Sequence, residues 1–153
     1  MSYYFDYMAS TPIEPQVSEI MQACACNPNL CANPSAKHSA AQQAKKQLEL
    51  ATKAMLGVIN ADIKDQLIFT SGATEAINLA LIGSAKHYKR NGNHIISLTT
   101  EHHATLNTLK SLTADGFNVD LLNPNSNGLI DIKKLKETIN KQTILITIAH
   151  VNN

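Results

Sequence analysis

The stretch HIISL at residues 94–98 decides the fold class of this chain. It is an apolar run of strand length, and the segments before it (74–89) and after it (103–114) carry apolar residues at helical spacing. A second run of strand length, NVDLL, follows at 118–122. Strands that alternate with helices imply right-handed crossovers, and therefore a mainly parallel sheet with helices on both faces. The sequence predicts an α/β fold.

The same alternation extends in both directions from this centre. Towards the N-terminus, the apolar run 67–69 meets Ser71-Gly72 and predicts a further buried strand. Four more elements are predicted: helices over 17–24 and 41–58, a short helix from the cap Asp131 to Ile139, and a strand over 143–148. Because the strand runs are almost continuously apolar, we expect strands that are buried on both sides.

Composition and charge exclude several classes of protein. Of 153 residues, 44% are hydrophobic and 16% charged, which is enough apolar material for a core and too little charge for a disordered tail. The formal net charge of +1 disfavours a nucleic-acid partner. No apolar run approaches the roughly 18–20 residues of a membrane span, and the N-terminus lacks a secretory signal. The odd cysteine count favours a reducing compartment, so we expect a cytoplasmic protein with no membrane partner.

Residues 70–75, TSGATE, follow the first predicted strand and open the next helix. Ligands of open α/β sheets bind beyond the carboxyl ends of the strands. Gly72 would permit a turn that a Cβ hinders, and the N–H groups of Ala73 and Thr74 would face an anion at the helix N-terminus. The alternative is that Ser71 or Thr74 only caps the helix, which is the commoner use of such residues. The segment alone leaves both interpretations open.

Polar residues also follow two other predicted strands. His102 and His103 come after the strand 94–98, and the segment HVNN at 150–153 follows the last strand. A histidine there could act as an acid or base, a metal ligand or an aromatic stacking surface. A polar cap is the plainer alternative. Three successive strand ends therefore carry groups that could bind a ligand.

The cysteines raise the question of a metal site. Cys24, Cys26 and Cys31, with His38 further on, have spacings unlike those of zinc or iron–sulfur sites. Cys24 is better explained as a small apolar residue on a helix face. We therefore expect no metal.

Five motifs in the same order resemble those of the cysteine desulfurases, a family of class V, fold type I pyridoxal-phosphate (PLP) enzymes. They are YFDYMASTP at 4–12, NPS at 33–35 with His38, FTSGATEAINLA at 69–80, TEH at 100–102 and HVNN at 150–153. The family removes sulfur from L-cysteine, leaving L-alanine and an enzyme persulfide. The resemblance implies an N-terminal arm over 1–13 and, over 14–153, part of the PLP-binding large domain.

The resemblance also assigns roles to individual residues. It implies that Ala73 and Thr74 hold the cofactor phosphate and that His102 is a catalytic residue that stacks on the pyridine ring. Asn153 would contact both cofactor and substrate. Asn33 and His38 would lie near the mouth of the substrate pocket. Small departures occur at Ala36-Lys37 within the second motif and at Ala41, where the family often has glycine.

The larger departure concerns groups that the family places downstream of HVNN. These are the lysine that holds PLP, the aspartate that pairs with the pyridine nitrogen and the cysteine that carries the persulfide. PLP chemistry needs the first two, and sulfur transfer needs the third. We therefore predict that residues 1–153 are an N-terminal fragment of a cysteine desulfurase that is inactive alone. The strands that would pair with the last strand would also lie downstream. We therefore expect that strand to expose an edge of unpaired backbone groups and apolar side chains, and the fragment to self-associate through it.

Two other hypotheses stay open. The chain could be a non-catalytic module that binds PLP or another phosphate compound, or that associates with a full-length desulfurase. It could also be a nucleotide-binding α/β domain, although it has neither spaced glycines nor a Walker lysine. The family resemblance implies L-cysteine as substrate, a homo-oligomer, and sulfur-acceptor proteins of iron–sulfur or thiolation pathways as partners.

Overall fold

The computed structural model of the chain describes residues 3–7, 10–62 and 64–151. Contacts between residues divide the chain into two units, Met1–Ile68 and Phe69–Asn153. The division into an arm over 1–13 and a domain over 14–153 stays a prediction. None of the helices in the described residues is long and apolar enough to cross a membrane.

The described residues of the first unit form two helices, and both were predicted from the sequence. Helix α1 spans Pro15–Cys26, and its first turn is capped by the Glu14 carboxylate, which accepts the Val17 N–H at 3.1 Å. Proline suits the first helical position because its missing N–H would have no partner there. Helix α2 spans Ser39–Val58. Helix α1 buries none of its residues, so the apolar face that predicted it is exposed.

The second unit contains a three-stranded parallel sheet in the order β2-β1-β3. The central strand is β1 (His94–Leu98), with β2 (Asn118–Leu122) on one side and β3 (Thr143–Ile146) on the other. The helices of this unit are α3 (Ala73–Tyr88), α4 (His103–Ala114) and α5 (Ile132–Thr138). The predicted α/β fold with a parallel sheet is confirmed.

Apolar side chains cover both faces of β1. On one face Ile95 packs with Leu81 of α3 and Leu109 of α4, and on the other Ile96 packs in a cluster that Leu135 of α5 joins. Successive residues of a strand point to opposite faces, so Ile95 and Ile96 pack into two different hydrophobic clusters. Both are completely buried.

A buried histidine joins the three strands at their amino ends. His94 Nε2 lies 3.1 Å from the Asp120 carboxylate of β2, and His94 Nδ1 lies 2.7 Å from the Thr143 hydroxyl of β3. Burial of such a ring requires hydrogen-bond partners, and both nitrogens have them. The opposite, carboxyl edge of the sheet is therefore the one left for a ligand.

Three expectations about the strands were wrong. Residues 67–69 form no strand, and the side chains of Ile68 and Phe69 are more than half exposed, because no strand of the sheet pairs with this run. Strand β3 ends at Ile146, two residues earlier than predicted. Burial on both sides holds for all five residues of β1 but not for the two edge strands, β2 and β3, of whose residues only Leu122 is buried.

Candidate active site

The N-terminus of α3 presents donors that no side chain occupies. Gly72 is the residue before the helix, and the structure shows no side-chain cap, so the alternative in which Ser71 or Thr74 caps α3 is wrong. Ala73 and Thr74 are exposed. Their N–H groups and the helix dipole favour an anion at this position. The arrangement fits a phosphate group.

Ser71 binds a carboxylate instead of capping the helix. Its N–H and its hydroxyl donate to the same Glu75 oxygen, Oε2, at 2.6 and 2.7 Å. Both bonds lower the pKa of Glu75 below its ordinary value, and the bond from the Ser71 hydroxyl has the larger effect. Ser71 therefore offers no free donor to an external anion, whereas the N–H groups of Ala73 and Thr74 remain available.

The expectation that Gly72 relieves a steric conflict was wrong. Its backbone is extended, with φ 167° and ψ 179°, and a Cβ built on it would meet nothing within 4 Å. Extended backbone is open to any residue. Glycine is therefore not required here by the protein's own atoms.

His102 caps helix α4. Its Nδ1 accepts the Ala104 N–H at 3.1 Å, and the side chain is exposed. The polar-cap interpretation of this histidine is therefore correct for Nδ1. In the neutral ring Nε2 then carries the proton, because Nδ1 is an acceptor. Capping uses one edge of the ring and leaves its faces available for stacking.

Helices α3 and α4 run in the same direction, so their N-termini lie at the same end. In their second turns, the Thr108 hydroxyl lies 2.8 Å from Asn78 Oδ1, and just beyond their C-terminal ends Lys89 Nζ lies 3.4 Å from the Asp115 carbonyl oxygen. The Asn78 amide also donates to the Thr74 carbonyl oxygen at 2.8 Å. The anion donors of α3 and the ring of His102 on α4 therefore share one edge of this unit.

A buried carboxylate lies at the same edge. Glu101, which is 8% exposed, accepts the Ala149 N–H through Oε1 at 2.6 Å. It joins the end of β1 to the segment that leads towards HVNN. A cavity of about 330 Å³ lies here, and it is lined by Leu98, Thr100, Glu101, Asn127, Gly128, Ala149 and His150.

No role was predicted from the sequence for Asn78, Glu101 or Thr108. Two of these residues carried a signal in the sequence: Glu101 stands beside His102 in the TEH motif, and Asn78 lies four residues after Thr74, on the same helix face. Thr108 carried no such signal, because a threonine in a helix often bonds only to its own backbone.

The predicted substrate residues Asn33 and His38 belong to the first unit. His38 Nδ1 accepts the Ala41 N–H at 3.2 Å and caps α2, while Asn33 Oδ1 accepts the Ser35 N–H at 2.9 Å. Both side chains are exposed. Asn153 lies outside the described residues. The roles of all three stay predictions.

The cysteines are unpaired and exposed. Cys24, Cys26 and Cys31 are free thiols, and within the described ranges no three Cys, His, Asp or Glu side chains come together as metal ligands.

A parallel α/β sheet with an open helix N-terminus, and a histidine at the same edge, is compatible with proteins that bind a phosphate group beyond the carboxyl ends of their strands. Residues 3–153 match the family described as aminotransferase class-V, and the chain belongs to that family. It is 44% identical over 151 residues to the cysteine desulfurase IscS of Proteus mirabilis and 42% identical to that of Photobacterium profundum. In both cases the match covers 98% of this chain and 37% of the relative, so the chain spans just over a third of these relatives' length.

Solved structures agree with this assignment. A structure described as SspA in complex with cysteine matches with a TM-score of 0.89 at 38% identity, covering 99% of this chain and 43% of the other. A NifS-like protein matches with a TM-score of 0.90 at 30% identity, covering 97% and 40%. The fold of the described residues is therefore that of cysteine desulfurases.

Proposed function

We propose that this chain is the PLP-binding N-terminal part of a cysteine desulfurase, which takes sulfur from L-cysteine and leaves L-alanine. The observation that carries the proposal is the shared edge of α3 and α4, where the open N–H donors of one helix lie at the same end as the capping histidine of the other. The IscS relatives support the choice of reaction.

In this proposal each residue contacts a different part of the cofactor. The N–H groups of Ala73 and Thr74 bind the phosphate, and the Thr74 hydroxyl adds a third donor. His102 stacks on the pyridine ring while its Nδ1 keeps the helix cap. Asn153 contacts cofactor and substrate, as the family resemblance implies. When bound, PLP supplies the electron sink for the reaction.

The remaining roles rest on the family resemblance. Asn33 and His38 would contact L-cysteine. We propose a homodimer in a reducing cytoplasm, with sulfur-acceptor proteins as partners. The thiols of Cys24, Cys26 and Cys31 match no family nucleophile, so the persulfide is assigned to none of them.

The test is a titration of the 153-residue chain with PLP, followed by absorbance and by tyrosine fluorescence. Ala73→Pro removes one phosphate donor, and proline is well suited to the first helical position after the extended Gly72. We expect affinity for PLP to fall by about tenfold or more. Ile132→Pro makes the same change at the first position of α5, where the Asp131 cap uses only the N–H groups of Lys133 and Lys134. It should leave PLP affinity unchanged.

A second variant tests the ring contact. His102→Asn keeps a good N-cap but loses the aromatic ring, so helix content should stay constant while PLP affinity falls about two- to tenfold. A wild-type chain that binds PLP no better than the Ala73→Pro variant would overturn the proposal. Equal binding by His102→Asn would overturn the stacking role alone.

A further inference from the structure

We propose that Asn78 and Thr108 are positioning residues that set the separation between the phosphate donors of α3 and the ring of His102 on α4. The inference deepens the proposed function and rests on it. No motif assigned a role to either side chain, and neither touches the cofactor in the proposed arrangement.

The two side chains form a bridge between the second turns of the two helices, since each is the sixth residue of its helix. The Asn78 side-chain N–H donates a hydrogen bond to the Thr74 carbonyl oxygen, and Asn78 Oδ1 accepts one from the Thr108 hydroxyl. Both bonds are 2.8 Å long. The single Thr108 hydroxyl hydrogen is shared between this amide oxygen and the Ala104 carbonyl oxygen, which also lies 2.8 Å away. Ala104 is the residue whose N–H is held by His102. A continuous set of polar contacts therefore runs from the phosphate turn to the stacking ring.

Apolar packing alone would not fix this geometry. Leu81, Leu109 and Leu112 hold α3 and α4 together, but burial of apolar surface is not directional, and it permits small shifts along the helix axes. A hydrogen bond requires a defined distance and angle. Thr108 is only 3% exposed, so water competes little for its hydroxyl.

The separation matters because PLP is a small rigid molecule that must reach both sites at once. A ligand that makes two contacts gains from a site that already holds both partners at the right spacing. A ligand that uses only one of the contacts gains nothing from that spacing. Loss of the bridge should therefore lower the affinity for PLP but not the affinity for phosphate or pyridoxal, which each make only one of the two contacts.

The experiment compares Thr108→Val with Thr113→Val in the 153-residue chain. Both changes remove a hydroxyl from α4, but Thr113 bonds only to the Leu109 carbonyl oxygen of its own helix, at 3.0 Å. Each variant is titrated with PLP, inorganic phosphate and pyridoxal. We expect Thr108→Val to lose about tenfold in PLP affinity and less than about twofold for phosphate and pyridoxal. Thr113→Val should match the wild type for all three ligands.

Asn78→Ala supplies a second variant, since alanine favours the helix and removes the other half of the bridge. It should show the same selective loss, and the double variant should lose no more than either single one, because both remove one bridge. If Thr108→Val lowers affinity for all three ligands equally, or for none, the positioning role is overturned while the proposed function stands. If the wild type binds PLP no more tightly than phosphate, both fail.

Discussion

The two units use their apolar residues in different ways. In the second unit Ile95 and Ile96 are fully buried between helices and sheet. In the first unit α1 has an equally regular apolar face, yet Val17, Ile20 and Met21 are each about half exposed or more. Helix α2 buries Ala41, Ala44 and Leu56, and an open groove of about 550 Å³ with a largely aliphatic wall runs along its C-terminal half. Periodicity therefore indicates a helix in both units, but only a partner determines what is buried.

The largest expected effect comes from the core of the second unit. Ile95→Ala should lower the free energy of unfolding by about 2–5 kcal/mol, because it leaves a cavity beneath both α3 and α4. Ile20→Ala on the exposed face of α1 should change it by no more than about 0.5 kcal/mol. Urea titration followed by circular dichroism measures both.

If Ile95→Ala does not fold, the milder Ile95→Val should still lower the free energy of unfolding by about 0.5–1.5 kcal/mol. Equal costs for the Ile20 and Ile95 variants would mean that α1 buries its apolar face in solution, and the contrast between the units would be lost.

A smaller effect is expected at Gly92. It is buried, and a Cβ there would collide with the backbone of Gln142, lying 2.7 Å from its carbonyl carbon. Gly92→Ala should therefore destabilise the second unit by about 1–3 kcal/mol. Gly83→Ala, where a Cβ meets nothing within 4 Å, should stabilise α3 by about 0.5–1 kcal/mol. The thermal midpoints of the two variants should move in opposite directions, and a shift of both in the same direction would contradict the packing at Gly92.

The smallest effect concerns Glu75, an exposed residue of the second unit. Its pKa is lowered by the hydroxyl and N–H of Ser71, so the ionised form stabilises the folded chain above the unfolded pKa, near 4.5. This contribution is lost as the pH falls through the lower, folded value. Glu75→Gln should therefore be less stable than wild type at pH 6, and the difference should shrink in acid. A difference that grows in acid would contradict the Ser71 contacts.

Sequence reasoning predicted the central elements of the second unit well. Strands β1 and β2 and helix α4 have the predicted bounds, since long apolar periods are closed by clear stops such as Asp115-Gly116. The prediction of a strand at 67–69 was wrong because an apolar run shows only that a segment could form a strand. It does not show that another strand lies next to it to pair with. The exposure of β2 was missed for the same reason, since edge position is a property of the whole sheet.

For the site, the sequence predicted the helix N-terminus at Ala73 and Thr74 and the polar end of β1 at His102. It could not separate capping from ligand binding, and the structure gives different answers at the two places: α3 has no side-chain cap, whereas His102 caps α4. The contacts of Asn78 with Thr108 and of Glu101 with Ala149 join residues 30 and 48 positions apart. No local pattern encodes such pairs.

The bond between Glu101 and Ala149 also has a consequence for the order of assembly. The carboxylate and its partner amide are separated by 48 residues, which contain β2, α5 and β3. At about 5–20 residues per second, a ribosome would release Ala149 roughly 2–10 s after Glu101. Until then the carboxylate has no partner, although α3, β1 and most of the site are already made. We therefore expect the ligand edge of the sheet to form only after β3 has been synthesised, when the Ala149 N–H becomes available to the buried carboxylate.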